Sequence, residues 1–299
     1  MGDPMVSAAI VLAAGLGTRL RPLTDSRAKP LVPVGDRPAL AQVLEHLREA
    51  NIERVVVNAH HRAPDMRVFL NPWEGVSVSE EPDLLGTAGG IAQASDALGA
   101  GDVLVYSADI VAGIDLRRLT EAHAGHGDAA TLVIRRRDRG EGNVGVDETG
   151  RVVRIRRDGV AKEAHGGEFL AVHVLGAALR RLLPARGCLV GDVYIPALHR
   201  DVVLRAHLHA APFFDIGTPG GYLDANVAWL AERRVSHWTG AGARVDAKVA
   251  LDRTIVGAGA VVRGSGTLAR CVVWPGATAT APLADAIVTT REVVRVGGP

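Results

Sequence analysis

Residues 8–24 read AAIVLAAGLGTRLRPLT, and this stretch decides how the rest of the chain is interpreted. Its first six residues form a short apolar run that predicts a buried strand. Gly15 and Gly17 follow, and they predict a loop at the carboxyl end of that strand, where open α/β sheets bind ligands. Arg19 lies within the same loop, and its guanidinium can bind a phosphate group through two hydrogen bonds. The stretch therefore predicts a strand followed by a phosphate-binding loop.

Strand and helix patterns alternate through the first half of the chain. β-branched apolar runs at residues 54–58 and 102–106 predict further strands, and an amphipathic pattern beginning at Pro38 predicts a helix between the first two strands. Thr218 and Pro219 have the residue types of a helix N-cap and first helical position. The alternation predicts an α/β fold, Rossmann-like, with a mostly parallel sheet flanked by helices.

The pattern changes after residue 235. Small residues, valines and glycines recur at intervals of roughly six residues, as in 255–260, 261–266 and 272–277. This period predicts a short, left-handed β-helix-like domain over residues 236–299, following the α/β domain over residues 1–235. We expect the second domain to cap the first or to join copies of the chain into a homo-oligomer.

Composition excludes several classes of protein. The formal net charge is +1, so no global field attracts nucleic acid or an anionic membrane. No apolar run approaches the roughly 18 residues of a membrane span. Two cysteines, Cys188 and Cys271, are too few for a disulfide framework. We therefore expect a cytoplasmic protein that binds neither nucleic acid nor membrane.

Two common phosphate loops do not match the glycine loop. A dinucleotide fingerprint would have a third glycine at position 20, where Leu20 stands. A Walker loop would have Gly-Lys followed by Ser or Thr, and no such sequence is present. Lys29 supplies a second, compact cation after Arg19, so the loop suits a polyphosphate.

Residues 15–24 with Lys29 and Pro30 resemble the signature of the sugar-1-phosphate nucleotidyltransferases. Residues 85–90, LGTAGG, are similar to the family's nucleoside-binding turn, and residues 214–219, FDIGTP, are similar to its Asp-Ile/Val-Gly-Thr segment. The resemblance covers about residues 7–234 and implies a nucleotidyltransferase fold of the GT-A-like type. It also implies transfer of a nucleoside monophosphate from a triphosphate to a sugar 1-phosphate, with release of pyrophosphate.

The resemblance assigns roles to individual residues. The residues implied to be catalytic are Arg19, Lys29 and Asp109. The residues implied to bind the nucleotide are Ala13, Gly15, Gly17, Thr18, Glu81, Gly86 and Thr87. The residues implied to bind the sugar phosphate are Asn143, Gly145 and Glu168. Mg²⁺ is the implied cofactor, with Asp109 and Asp215 as its carboxylate ligands. Ala108 stands where the family usually has glycine before the first of these aspartates.

Base and sugar are less sharply defined by the sequence. Glu81 favours GTP, because a carboxylate only accepts hydrogen bonds and guanine presents two donors. The resulting hypothesis is a guanylyltransferase acting on mannose 1-phosphate or a related hexose 1-phosphate. The alternatives are a UTP- or dTTP-dependent enzyme acting on glucose or N-acetylmuramate phosphate, and a catalytically silent homologue that binds nucleotide sugar and regulates a partner.

Overall fold

A computed structural model describes residues 6–297 of the chain. By its internal contacts the chain divides into two compact units. The first unit contains the residues up to Leu16 together with Leu44–Pro212, and the second contains Gly17–Val43 together with Phe213 and the residues after it. The predicted boundary between residues 235 and 236 falls inside the second unit and stays a prediction. Residues 1–5 and 298–299 of the two predicted domains lie outside the described residues.

The strands and helices follow the chain in this order. The strands are β1 Ala8–Leu12, β2 Pro33–Val34, β3 Arg37–Pro38, β4 Arg54–Ala59, β5 Val76–Glu80, β6 Val103–Ser107, β7 Ile110–Ala112, β8 Ala130–Arg137, β9 Val144–Val146, β10 Val152–Ile155, β11 Asp158–Gly159, β12 His165–Leu175, β13 Leu204–Leu208, β14 Phe213–Asp215, β15 His237–Thr239, β16 Arg244–Val245, β17 Val249–Asp252, β18 Thr254–Val256, β19 Val261–Val273, β20 Thr278–Val288 and β21 Val293–Arg295. The α-helices are α1 Ala39–Glu49, α2 Ala63–Leu70, α3 Gly86–Gln93, α4 Ser95–Leu98, α5 Leu116–His126, α6 Ala177–Arg180, α7 Ile195–His199 and α8 Pro219–Glu232.

The first unit is built on one mixed sheet. Its strand order is β11-β10-β9-β12-β6-β1-β4-β5, and β8 and β13 extend it beside β12. β1 runs parallel to both β4 and β6, whereas β12 is antiparallel to β6. Ile10, Val56 and Val105 lie in register across the three parallel strands and are essentially inaccessible to solvent. The mixed, helix-flanked α/β sheet confirms the predicted fold class.

Register brings three strand ends to one edge of this sheet. Leu12 at the end of β1 is opposite Asn58 in β4 and Ser107 in β6. Residues that directly follow these positions therefore lie at the same carboxyl edge of the parallel strands. This edge is where a parallel α/β sheet presents its loops to a ligand.

The second unit contains a coiled, largely parallel sheet. His237 pairs with Thr254, Arg244 with Val261, and Val249 with Gly266, so each strand pairs with one 17 positions later. That offset is close to three six-residue repeats, which explains the period in the sequence. β19 and β20 continue the parallel pairing with a register shift between Gly264 and Leu268. The arrangement is compatible with the predicted β-helix-like domain.

Helix α8 anchors the early part of the second unit. Thr218 caps the helix by accepting a hydrogen bond from the Gly221 amide, as its sequence predicted. On the same helix the Tyr222 hydroxyl donates to the Pro33 carbonyl oxygen at 2.5 Å, and Asn226 accepts from the Gly35 amide at 2.9 Å. These buried bonds hold the segment that carries the glycine loop against α8.

Candidate functional site

The glycine loop is held in shape by a side chain of its own unit. Gly17 has a left-handed backbone with a φ of 66° and begins a 3-10 helix over Thr18–Leu20. A Cβ atom at position 17 would lie 2.9 Å from Cγ2 of Thr24 and 3.2 Å from Cβ of Lys29. The Thr24 hydroxyl donates to the Gly17 carbonyl oxygen at 2.9 Å. Position 17 therefore needs glycine both for its φ and for space, and Thr24 fixes the turn.

Three charged side chains converge on Gly217 in the second unit. A Cβ atom at position 217 would lie 2.6 Å from Oδ1 of Asp215, 2.8 Å from Nη2 of Arg19 and 3.1 Å from Nζ of Lys29. The Gly217 amide donates to Oδ1 of Asp215 at 2.7 Å, which fixes the carboxylate. Glycine at this position is what allows the three charged ends to approach one point.

Arg19 and Asp215 form a long ion pair that is exposed to solvent. Nη2 of Arg19 lies 3.7 Å from Oδ2 of Asp215, and the two side chains are 65% and 44% exposed. An ion pair at this distance and exposure contributes little to stability. The guanidinium of Arg19 is therefore accessible to a phosphate group from solvent, which it can bind more strongly.

The donor chemistry of the two predicted metal ligands suits a hard divalent cation. Asp215 belongs to the second unit and Asp109 to the first, and both provide carboxylate oxygens. Within residues 6–297, no group of three or more His, Cys, Asp or Glu side chains is arranged to hold a metal ion. Mg²⁺ is commonly bound through one or two carboxylates together with substrate phosphates and water.

A buried polar pair fixes the loop after β1 in the first unit. Oδ1 of Asn58 accepts hydrogen bonds from the Ala13 amide at 2.6 Å and the Ala14 amide at 3.2 Å. Nδ2 of Asn58 donates to Oε1 of Glu81 at 2.7 Å, and Oε2 of Glu81 accepts from the Leu85 amide at 3.0 Å. Asn58 and Glu81 are each 3% exposed. Both oxygens of Glu81 thus have partners inside the protein.

Gly90 and His60 complete this network. A Cβ atom at position 90 would lie 2.5 Å from Oε1 of Glu81 and 2.7 Å from Nδ2 of Asn58, so the pair requires glycine there. Nδ1 of His60 is 2.8 Å from the Glu81 carbonyl oxygen. The loop after β1 is therefore tied, through two side chains, to the turn that precedes α3.

The turn at Gly86 is closed by a segment far along the chain. Gly86 has a φ of 75°, and a Cβ atom there would lie 2.4 Å from the Gly187 carbonyl oxygen. That oxygen accepts from the Ala88 amide at 2.9 Å, and the Thr87 hydroxyl accepts from the Leu189 amide at 2.8 Å. The sequence analysis did not predict that residues 187–189 close this turn, because contacts between such distant segments leave no local pattern.

Asp109 lies just after β6. The Ser107 hydroxyl donates to Oδ1 of Asp109 at 2.6 Å. The Ala108 amide donates to the Leu12 carbonyl oxygen at 3.0 Å, and Ala108 is 3% exposed. The alanine that replaces the family's glycine is therefore buried, and its backbone joins the ends of β6 and β1.

The residues predicted to contact the sugar lie on β12 and around β9. Oδ1 of Asn143 accepts from the Phe169 amide at 2.8 Å, so its amide group is held in a fixed orientation. Asn143 and Phe169 line a small cavity of about 90 Å³ together with Tyr194 and Arg156. The cavity has one charged and several apolar walls, which suits a small amphipathic group.

Gly145 and Glu168 have different surroundings. A Cβ atom at Gly145 would lie only 1.7 Å from Oε2 of Glu163, so this carboxylate packs directly on the glycine. The Glu168 carboxylate accepts hydrogen bonds from the guanidinium groups of Arg135 and Arg137. Glu168 is thus held by two cations, and its role toward a sugar stays a prediction.

The predicted site residues fall into two groups by unit. The second unit carries Gly17, Thr18, Arg19, Lys29 and Asp215, and it brings the last three together. The first unit carries the remaining predicted residues, namely Ala13, Gly15, Glu81, Gly86, Thr87, Asp109, Asn143, Gly145 and Glu168. A Cβ atom at Gly15 would meet nothing within 4 Å, so the backbone there is open to a ligand.

Half of the chain matches a known protein family, and most of it aligns with named relatives. Residues 8–157 match the model of a family described as nucleotidyl transferase. The chain is 29% identical over 297 residues to a probable mannose-1-phosphate guanylyltransferase 1 of Oryza sativa, covering 90% of this chain and 81% of that protein. It is 28% identical to a mannose-1-phosphate guanyltransferase of Aspergillus fumigatus, covering 74% of this chain but less than two thirds, 64%, of the fungal protein.

Two solved structures resemble the fold. HddC from Yersinia pseudotuberculosis, complexed with GMP-PN, has a TM-score of 0.61 at 22% identity and covers 75% of this chain and 100% of that chain. A putative glucose-1-phosphate thymidylyltransferase from Bacillus anthracis, in complex with a sucrose, has a TM-score of 0.64 at 19% identity and covers 74% of this chain and 94% of that chain.

Among residues 6–297, no helix has both the length and the apolar character needed to cross a membrane.

Proposed function

The chain belongs to the nucleotidyl transferase family, and from that premise we propose that it transfers a nucleoside monophosphate from GTP to a sugar 1-phosphate, releasing pyrophosphate. The acceptor we propose is mannose 1-phosphate or a related hexose 1-phosphate. The observation that carries the proposal is the convergence of Arg19, Lys29 and Asp215 on Gly217. Cations held at one point beside a carboxylate suit a site that binds phosphates.

The chemistry of the reaction fits side chains of this kind. A sugar phosphate has a second pKa of about 6, so at neutral pH it is largely a dianion and needs no general base to attack the α-phosphorus. The enzyme must instead screen the repulsion between two anions, align them and stabilise charge on the leaving pyrophosphate. Arg19 and Lys29 can supply the positive charge for these tasks.

A divalent cation is part of the proposal. Asp109 and Asp215 would hold it, and we propose Mg²⁺ because hard carboxylate and phosphate oxygens are its preferred ligands. When bound, such an ion neutralises phosphate charge. The two aspartates contribute fixed carboxylates, since Ser107 and the Gly217 amide each hold one of their oxygens.

The nucleotide is proposed to lie against the loops that the first unit orders. Asn58 sets the amides of Ala13 and Ala14, and Glu81 links Asn58 to the turn that begins at Gly86. Because both Glu81 oxygens are used in this way, the preference for GTP rests on the relatives named mannose-1-phosphate guanylyltransferase. Glu81 acts in this proposal by positioning the loop. A cytoplasmic location and self-association through residues 236–299 stay predictions.

The proposal is tested by turnover of the purified chain with a matrix of GTP, UTP, dTTP and ATP against mannose, glucose and N-acetylmuramate 1-phosphates. Pyrophosphate release and the nucleotide sugar formed are both measured, with Mg²⁺ and with EDTA. With mannose 1-phosphate as the acceptor, we expect GTP to give the highest kcat/KM of the four triphosphates. Higher turnover with UTP or dTTP than with GTP would contradict the proposal that guanine is the preferred base. Binding of a nucleotide sugar without turnover of any pair would identify a silent homologue.

A further inference from the structure

A concave surface rich in positive charge lies at the hairpin of β10 and β11 in the first unit. Its charged lining is formed by Arg139, Arg154, Arg156, Lys162 and Glu163, and we call it the basic cleft. The cleft is open to solvent and has a volume of about 630 Å³, enough room for a small anionic group. Four cations face one carboxylate, so the lining has an excess of positive charge.

Arg154 and Glu163 form an ion pair within the lining of the basic cleft. Nε of Arg154 donates to Oε2 of Glu163 at 2.7 Å, and the two side chains are only 18% and 11% exposed. The other carboxylate oxygen, Oε1, accepts from the Gly140 amide at 2.5 Å. Burial alone would raise the pKa of the Glu163 carboxyl, but the hydrogen bonds from Arg154 and Gly140, with the positive charges of Arg154 and Arg139, bring it below its usual range. Glu163 therefore stays ionised and neutralises Arg154.

Arg154 is also fully occupied by the backbone. Its Nη1 and Nη2 groups donate to the carbonyl oxygens of Glu141, Val144 and Arg156 at 3.0–3.2 Å. A guanidinium with its donors used in this way builds the wall of a site and has little capacity left for a ligand. The remaining positive charge of the cleft comes from other side chains.

Arg139, Arg156 and Lys162 supply that charge. In the described part of the chain, none of the three lies within ion-pair distance of a carboxylate, and only the charge of Arg139 acts on Glu163. Three cations around one concavity repel each other, and an anion placed between them relieves this repulsion. A planar guanidinium and a compact ammonium together suit a phosphate or a carboxylate. The basic cleft thus has the charge that an anion site needs.

Arg156 connects the cleft with the predicted sugar region. It lines both the basic cleft and the small cavity that contains Asn143 and Phe169. Its backbone has a φ of 57°, and its amide donates to the Asn143 carbonyl oxygen at 2.7 Å. Arg156 is therefore placed by a direct bond to a residue predicted to contact the sugar. An anion bound by Arg156 would lie next to a sugar at Asn143.

Building on the proposed function, we propose that the basic cleft binds a second anionic group carried by the sugar, a carboxylate or a phosphate in addition to the 1-phosphate. Among hexose 1-phosphates, the preferred acceptor is then one that carries a second anionic group, such as a hexose bisphosphate or a uronic acid 1-phosphate. Arg139, Arg156 and Lys162 determine this specificity. Arg154 and Glu163 shape the cleft without contacting the anion.

The test compares acceptors that differ only in the second anion. With the preferred triphosphate, kcat/KM is measured for mannose 1-phosphate and glucose 1-phosphate, and for the matching 1,6-bisphosphates and uronic acid 1-phosphates. We expect at least one acceptor with the second anion to exceed its counterpart without it by about tenfold in kcat/KM, the size of a charge-assisted hydrogen bond. Arg156→Gln and Lys162→Gln should each lower that ratio by about fivefold or more. Arg136→Gln removes an exposed cation outside the cleft and should leave the ratio unchanged.

Two outcomes overturn the proposal. The ratio can be near one in the wild-type chain. Alternatively, Arg156→Gln and Lys162→Gln can lower turnover of acceptors with and without the second anion by the same factor, as a site for the 1-phosphate itself would. Calorimetric titration without nucleotide measures the affinity of the chain for the bisphosphates and for the monophosphates. It therefore tests the same preference even if the chain has no turnover. Loss of turnover with every triphosphate therefore contradicts the proposed function, whereas equal affinity for the two kinds of sugar phosphate contradicts the basic cleft.

Discussion

Two polar pairs in this molecule have opposite surroundings. Asn58 and Glu81 in the first unit are each 3% exposed, and their bonds to each other and to the backbone are 2.6–3.2 Å long. Arg19 and Asp215 in the second unit are 65% and 44% exposed and lie 3.7 Å apart. Buried polar groups must be satisfied inside the protein, so the first pair stabilises the fold. The second pair contributes little to folding, and its charges remain available to a ligand.

The contrast predicts that the exposed pair controls activity and the buried pair controls stability. Arg19→Ala should lower kcat by at least about 100-fold, because charge on the phosphates loses its guanidinium. The free energy of unfolding should change by less than about 0.5 kcal/mol, since an exposed ion pair contributes little. Steady-state kinetics and urea unfolding measure the two effects.

Arg21→Ala is the matched control for this variant. Arg21 lies in the same loop, is 62% exposed and forms an ion pair of 3.3 Å with Asp25. It does not take part in the convergence on Gly217. We expect near-normal turnover from Arg21→Ala. Equal losses in the two variants would show that general positive charge in the loop, and no specific contact of Arg19, supports the reaction.

Asn58→Ala tests whether the buried pair of Asn58 and Glu81 stabilises the fold. The change removes one acceptor from the Ala13 and Ala14 amides and one donor from the buried Glu81 carboxylate. Leaving such groups without partners should lower the free energy of unfolding by about 2 kcal/mol. Urea unfolding measures this, with Asn71→Ala, an exposed asparagine at the end of α2, as the control expected within about 0.5 kcal/mol. A stable Asn58→Ala variant would contradict the structural role of the pair.

The sequence predicted the parts of the molecule that have a local signature. The parallel strands, the glycine loop, the cap at Thr218 and the six-residue period all depend on residues close together in the chain. Asn58 and Ala13 are separated by 45 positions, and Leu189 and Thr87 by 102. Contacts over such distances leave no periodicity in one sequence, so neither the Asn58 network nor the segment that closes the Gly86 turn could be predicted.

Glu81 shows how the same limit affects a predicted site residue. Its chemistry as an acceptor suggested recognition of guanine, and nothing in the neighbouring residues indicated burial. In the structure its acceptor capacity is directed to Asn58 and to the Leu85 amide. Gly217 is the converse case, because its neighbours in the sequence placed it in a family segment without revealing that three charged groups surround it. The residue type of Glu81 indicated that it accepts hydrogen bonds, and the family segment indicated that Gly217 lies near the site. Only the packing of the folded chain identifies the groups that contact them.

Gly217→Ala gives the smallest expected effect and the sharpest test of how the exposed charges are arranged. The new methyl group would lie 2.6 Å from Oδ1 of Asp215, an oxygen already held by the amide of the same residue. The flexible ends of Arg19 and Lys29 can move away at low cost, so we expect about a tenfold loss in kcat/KM from misplaced charges. The free energy of unfolding should change by less than about 1 kcal/mol.

Gly220→Ala is the control variant for Gly217→Ala. Gly220 lies in the first turn of α8, and a Cβ atom there would meet only Cγ1 of Val296, at an ordinary contact distance of 3.7 Å. Its substitution should leave kcat/KM within about twofold, because alanine is well tolerated in a helix. If Gly217→Ala were as active as Gly220→Ala, the three charged groups would not need a fixed arrangement. The exposed pair would then act through its charge alone, whereas a clear difference between the two variants would mean that even weakly paired surface charges are positioned by the backbone beneath them.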